Sequence, residues 1–564
     1  MTDTSIRPPK PGFDFASYLR SFTPKLVIAL REGYPASRLS QDALSGITVA
    51  ILALPLSMAI AIGAGISPDK GLITAVVAGF LISAFGGSRH QIGGPAAAFI
   101  VIIASLVTKY GEAGMLTATF LAGFLLVIAA LLKVGTYVKY VPGPVILGFT
   151  SGVGALIAIG QLKDLMGLKG DVPADILPKI KAMWAIRDSF NPSALVVGLL
   201  TLGAIVALKQ WRPKWPGLLS AVVGASAAVA VLHLPIETIG SRFGGIAASL
   251  PVPTLPDLSP TMIGHVFPSA LTFAFLIGVE SLLSAVAADA ITGGRHRSNV
   301  EILGQGIANI ASPMFGGMPA TGVIARTGAN ISAGGQTPVA GILHAVFVLI
   351  AMVALAPLAA YLALPCLAAV LIHVAWRLLD VHEMIGFLRK APRDDALVLA
   401  ATWLLTVFVS LDVAIAVGVV MASVLFVHRM AEANGATMRA HSDDEEGLLG
   451  RLNLPASVRL FQMRGPMFFG AAETIARALE GVMPYPKAII LDMGQVPLID
   501  ATAIAALEDL AKSSEKHGCQ LLMCGLDGQP RRALHTYGFL RAHKVVLAAT
   551  RDLAIEKAKV AATA

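Results

Sequence analysis

Apolar residues run in long blocks from about residue 45 to about residue 430, separated by short polar or glycine-rich joints. A helix needs about 20 apolar residues to cross a bilayer. Blocks of that kind lie near 45–65, 70–86, 115–132, 141–160, 192–208, 216–233, 264–288, 337–358, 394–411 and 412–428. Shorter blocks, interrupted by Gly or Pro, lie near 95–107, 300–315, 320–333 and 365–378. The pattern predicts a polytopic α-helical membrane protein of fourteen spans, and an even number returns both termini to one side.

Composition agrees with that reading. Of 564 residues, 55% are hydrophobic and only 14% charged, against about 25% charged in a soluble domain. This excludes one large soluble globule, a disordered chain and a fibre. The net charge of +8 is not a nucleic-acid footprint, because no basic stripe is interleaved with aromatics. Basic clusters at Lys133/Lys139, Lys209/Arg212, Arg295/Arg297, Arg389/Lys390/Arg393 and His428/Arg429 fall on the side of the N-terminus, which marks that side as cytoplasmic. One loop disagrees: residues 161–191 carry Lys163, Lys169, Lys179, Lys181 and Arg187 on the opposite side. The first 44 residues are polar and lack the apolar stretch of a cleavable signal, with an amphipathic surface segment expected around Phe13–Leu30.

An internal repeat points to a site. Residues 71–87 (GLITAVVAGFLISAFGG) and 301–317 (EILGQGIANIASPMFGG) end alike, Phe85-Gly86-Gly87 matching Phe315-Gly316-Gly317 at a spacing of 230. Each is followed by a stretch too rich in Gly, Pro and polar residues for a membrane helix, then by a short helix starting near Pro95 or near Ala325. Seven spans per half is odd, so the second copy is inverted. Broken helices at matching places of two inverted halves mark a transporter's binding site. Irregular backbone at membrane depth survives only where protein or a cavity surrounds it, and a helix N-terminus there attracts anions.

Ionisable residues within spans sharpen this. Glu280 lies mid-span, where a charge costs roughly 2.5–3.5 kcal/mol on insertion scales. Ser284 follows one turn later on the same face. Arg326 falls in the first turn of the second broken helix. Glu280 suits a group that gains and loses a proton in a transport cycle; the alternative is a structural Glu280–Arg326 ion pair. Asp289 reads as a helix-terminus residue. No metal-ligand spacing, phosphate loop or nucleophile–base arrangement appears, so there is no case for an enzyme. The three cysteines give no disulfide framework; Cys519 and Cys524 fall on opposite faces of a strand.

The last residues form a soluble tail. Residues 457–465, 488–494 and 519–525 read as strands, alternating with helices over 470–481, 500–516 and 528–537, which argues a small α/β domain. The expected organisation is an N-terminal cytoplasmic segment 1–44, a transmembrane domain 45–430, a linker 431–450 and the tail domain 451–564.

ALPLSMAIAIGAG (53–65), GGPAAAF (93–99), GVESLLSAVAAD (278–289) and above all GQGIANIASPMFGGMPATGVIARTGANISAGGQTP (304–338) resemble the sulfate permease (SulP) family of anion transporters, whose membrane part precedes a cytoplasmic STAS domain. The likeness covers about 45–560. ESLL, GQG-N, FGG, IART-N and AG-Q-TP are most similar to bacterial members that carry C4-dicarboxylates such as succinate and fumarate. The resemblance implies a seven-plus-seven inverted repeat, split into a core bundle and a dimer-forming gate bundle. It places a small inorganic or carboxylate anion among Ser57, Ala59, Pro95, Ala96, Phe99, Val323, Ile324, Ala325 and Arg326, with Glu280 on the eighth span. Some sodium-coupled bicarbonate members have Asp and Thr at the positions of Glu280 and Ser284. The longer Glu280, with no companion carboxylate in the sequence, fits coupling to a proton through Glu280 and Ser284, and the Ser284 and Thr321 hydroxyls keep sodium an alternative. No other cofactor is implied. The phosphorylatable Ser of related STAS domains is replaced here by Ala501, between Asp500 and Thr502, which points the tail toward contact with the membrane part or a cytoplasmic protein. The expected function is proton-coupled anion symport in the inner membrane, by a homodimer among membrane lipids. Sulfate or bicarbonate transport, an uncoupled channel or exchanger, and a membrane-tethered signalling protein are the alternatives.

Overall fold

A computed structural model describes residues 18, 21–137, 142–173, 175–211, 215–442, 455, 457–467 and 486–563. Lys139, Arg212, the helix expected over 470–481 and the acidic run after Ser442 lie outside the described residues. The chain divides into two compact units, one up to Val420 and one from Met421.

Among the described residues, nine helices are long and apolar enough to cross a membrane. In chain order the first unit contains α1 (Lys25–Arg31), α2 (Ala36–Gly63), α3 (Pro68–Phe85), strand β1 (Gly93–Pro95), α4 (Ile100–Leu131), α5 (Gly143–Leu165), α6 (Ile176–Ala185), α7 (Pro192–Trp211), α8 (Gly217–Val231), α9 (Ile239–Phe243) and α10 (Pro260–Thr292). There follow α11 (Ser298–Met314), strand β2 (Ala320–Gly322), α12 (Ile324–Ser332), α13 (Pro338–Ala359), α14 (Leu364–Leu379), α15 (Val381–Lys390), α16 (Arg393–Phe408) and α17 (Leu411–Ser442). Helix α4 is two spans. At Gly111 the backbone turns to φ 67°, ψ −174°, a conformation that only glycine adopts without strain. With α4 counted twice and the shorter α8, α11, α12 and α16 added, every one of the fourteen expected spans has its helix.

Boundaries moved where polar residues continue a helix. The first span starts at Ala36, nine residues ahead of the apolar block, and in the expected surface segment the described residues are helical at Tyr18 and over Lys25–Arg31. The segment expected as a linker is helical as far as Ser442, in keeping with its Ala, Met and Arg residues.

The helices form two groups. In one, α13 packs on α2 and α3, α11 on α3 and α4, and α10 on α4 and α12; in the other, α5 packs on α14 and α16, and α7 on α8 and α14. Glycines let these helices approach closely, as membrane helices require without a hydrophobic driving force. A Cβ at Gly304 of α11 would lie 2.9 Å from the backbone N and Cα of Gly86. One at Gly148 of α5 would lie 2.6 Å from the carbonyl oxygen of Leu399 on α16. The discordant basic loop is partly consumed locally. Lys163 is buried at the end of α5, and the Arg242 guanidinium on α9 donates to Asp164 Oδ1 at 2.7 Å.

The second unit carries a parallel sheet in the order β3 (Val458–Arg464), β4 (Ala488–Gln495), β5 (Gln520–Cys524), β6 (Val546–Ala548). Helices α18 (Ala501–Lys516), α19 (Gly528–Thr536), α20 (Phe539–Ala542) and α21 (Arg551–Thr563) accompany it. Strand β6 and α21 had no periodic signal strong enough to be expected. Cys519 and Cys524 do face opposite sides: each belongs to a different apolar cluster, one on each face of the sheet. Arg551 Nε donates to Asp492 Oδ2 at 2.7 Å and fixes α21 to β4.

Two predictions follow from packing and burial. Gly304→Ala should destabilise the purified protein by about 1–3 kcal/mol and lower its thermal midpoint by several degrees, whereas Gly203→Ala, with open space around it, should not. Burial pushes the thiols of Cys519 and Cys524 up to about 11, so only about a thousandth is thiolate at pH 8. Iodoacetamide at that pH should label them only after denaturation.

Candidate functional site

The two breaks meet. β1 and β2 pair antiparallel, with Gly93 opposite Gly322, Gly94 opposite Thr321 and Pro95 opposite Ala320. Val323 N donates to Ile92 O at 3.0 Å and extends the ladder. This ribbon satisfies backbone that leaves the helical ladder at membrane depth. Equivalent strand residues are 227 apart, not 230, because the first copy has three more residues between Phe-Gly-Gly and its strand. Helix resumes as one 3₁₀ turn at Ala97–Phe99 leading into α4, and at Ile324 in α12. Neither start carries a side-chain cap, so both present free N–H groups.

The turns after α3 and α11 are held by side chains from the other copy. Glu301 Oε2 accepts from the N–H of Gly87 (2.8 Å) and Ser88 (3.0 Å), while Met318 N donates to Thr74 Oγ1 at 2.8 Å. Asn309 grips β2 from both sides, accepting from Ala320 N (2.9 Å) and donating to Ala320 O (2.8 Å). Glu301, Gln305, Asn309 and Ser312 are all buried and lie on one face of α11. That polar stripe at i, i+4, i+8, i+11 in a membrane helix was a legible signal the sequence reading passed over.

Arg326 is the largest fully buried side chain of the chain's described residues. Its Nη2 donates to Ser57 Oγ at 2.9 Å, joining α12 to α2, and Nε and Nη1 have no hydrogen-bond partner among the described residues. Nη1 lies where a Cβ on Gly94 would be, 2.1 Å away. Pro95, Ala96 and Phe99 are buried, and Phe99 packs edge-on to Phe273 of α10 with ring centroids 5.8 Å apart. Val323 is half-buried, and Ile324 and Ala325 are exposed at the mouth of α12. Ala59, about 200° round α2 from Ser57, is buried in the same apolar cluster as Ala96 and Phe99.

Glu280 is half-buried and has no hydrogen bond or ion pair with any described residue. The alternative of a Glu280–Arg326 ion pair is thereby removed, since Arg326 turns to Ser57. Ser284 is buried and donates to Thr327 Oγ1 of α12 at 3.2 Å, and that oxygen also accepts from Ile92 N at 3.1 Å. Thr327 thus links α10, α12 and the first break, a role that no sequence pattern exposed. Asp289 caps the α10 end as expected, accepting from the backbone N (2.8 Å) and ring Nδ1 (2.7 Å) of His296.

Inverted broken helices paired through their breaks, with an arginine beside them, fit a helical membrane transporter for anions. Residues 39–402 match the sulfate permease family model and residues 452–552 the STAS domain model. The chain is 39% identical over 518 residues to the putative sulfate transporter YvdB of Bacillus subtilis, covering 91% of this chain and 96% of that one. It is 32% identical over 514 residues to the bicarbonate transporter BicA of Synechocystis, with 88% and 90% covered. The solved structure of the murine anion transporter Solute Carrier 26 family member A9 superposes with a TM-score of 0.84 at 18% identity, covering 99% and 97%. The chain belongs to the sulfate permease family; it is a multi-pass anion transporter with a C-terminal STAS domain, not an enzyme.

Because a Cβ at Gly94 would displace the Arg326 guanidinium, Gly94→Ala should abolish anion transport in reconstituted vesicles while leaving membrane insertion intact.

Proposed function

We propose that the chain is a proton-coupled symporter of a small oxyanion, working by alternating access in the inner membrane with both termini in the cytoplasm. The observation that carries this reading is Glu280. It is a carboxylate at mid-span with no cation to neutralise it, one turn from Ser284, which reaches α12. Such a group is costly to keep charged without a partner and suits proton carriage. Sodium is the alternative coupling ion, through the same carboxylate and the Ser284 and Thr327 hydroxyls. The anion is taken to lie before the starts of α4 and α12, among Ser57, Ala59, Pro95, Ala96, Phe99, Val323, Ile324, Ala325 and Arg326, with the dipoles and the arginine attracting it.

The substrate we favour is a C4-dicarboxylate, on the strength of the ESLL, FGG and IART-N motifs. Sulfate or bicarbonate is the second reading, favoured by what the similar proteins are named for. A homodimer, and a cytoplasmic protein contacting the STAS domain, complete the proposal.

The test is uptake of labelled succinate into liposomes holding the full chain, with and without an inward proton gradient. Gradient-driven accumulation should fall at least about tenfold in Glu280→Gln, and Arg326→Gln should weaken substrate binding. Sulfate or bicarbonate outcompeting succinate would replace the substrate. Uptake indifferent to both the gradient and Glu280→Gln would overturn the coupling.

A further inference from the structure

We propose that the face bearing the N-terminus holds a site for the phosphate of an acidic phospholipid, built from Lys25, Arg89 and Arg297. The segment leading into α1 is strapped across the ends of three elements. Tyr18 donates through its hydroxyl to Leu131 O of α4, Lys25 N donates to Gly86 O after α3 (3.1 Å), and Arg297 Nη1 donates to Thr23 O (3.2 Å). The strap thereby brings Lys25 between two arginines from separate loops. Lys25 is half-buried, and its ammonium makes no hydrogen bond or ion pair with a described residue. Burial first, then the charges of Arg89 and Arg297, hold that ammonium below the ordinary lysine range.

Glu32 pairs with Arg89 and Asp289 with His296, which leaves Lys25 and Arg297 without an ion-pair partner among the described residues. The Arg297 guanidinium donates to a neutral carbonyl. A phosphate bridging Lys25 and Arg297 would supply the missing charge through strong charge-assisted bonds. Apolar surface decides between a free phosphate and a lipid. Phe85 (41% exposed), next to the Gly86 carbonyl that the Lys25 N–H bonds, and Leu30 (51%), on the same short helix as Lys25, supply it. An inorganic ion has no use for them, whereas a phospholipid carries its phosphate and acyl chains in one molecule. The site lies outside the broken-helix region and does not depend on which anion is transported.

Native mass spectrometry of the purified full chain would test this, comparing phosphatidylglycerol with phosphatidylcholine, alongside thermal midpoints with each lipid and with millimolar inorganic phosphate. Phosphatidylglycerol adducts should exceed phosphatidylcholine adducts by about fivefold or more, and only phosphatidylglycerol should raise the midpoint. Lys25→Gln combined with Arg297→Gln should level that preference, and Arg31→Gln, an exposed charge outside the cluster, should keep it. Lys25→Gln alone removes no hydrogen bond or ion pair with a described residue, so a reduced preference in that variant supports the site even where the double variant folds poorly. An unchanged preference in Lys25→Gln and the double variant overturns the proposal, as does a midpoint shift of equal size with inorganic phosphate.

Discussion

Backbone amides at membrane depth have no water to bond, and the architecture is arranged around that constraint. Two helices stop short and restart inside the first unit, which leaves N–H and C=O groups outside any helical ladder. The three-residue pairing of β1 with β2 closes that gap. Gly93, Gly94 and Gly322 are needed because Ile82, Arg326 and Gln91 occupy the space a Cβ would take. The ribbon holds the two breaks against each other, and α4 and α12 start from its opposite ends, each with uncapped amides.

The supporting polar contacts follow from the inverted repeat. Each Phe-Gly-Gly turn is gripped by a side chain from the other half, Glu301 on one and Thr74 on the other. The two grips use different residues a turn apart on the helix, so the halves are related in shape but not in chemistry. Such buried bonds favour one arrangement of the core over alternatives of similar apolar packing. Asn309 and Asn330 do the same for the second break, the latter donating to His90 O and accepting from Ser45 Oγ.

Arg326 and Glu280 show why charge placement matters more than charge count. Both lie at the level of the breaks, and pairing them would have neutralised the site. The arginine turns to a hydroxyl on α2, leaving its Nε and Nη1 without partners among the described residues, and the carboxylate on α10 makes no ion pair with any of them. This separation is what the proposed proton-coupled mechanism requires of its anion site and its proton carrier.

Much of this was legible from residue order. Span positions follow from runs of about 20 apolar residues, the breaks from Gly and Pro after Phe85 and Phe315, and three strands of the second unit, β3 to β5, from one alternating segment and two short apolar runs. Glu280 and Arg326 stood out because charge inside a span is costly. Local periodicity could not give the three-residue offset between copies, the Arg326–Ser57 bond across 269 positions, or the reach of Glu301 to Gly87. It also hid Thr327 and Asn309 among ordinary polar residues. Hydropathy reports which segments leave water. The rotation of each helix about its axis decides which side chains meet, and that is settled by close packing among helices distant in the chain.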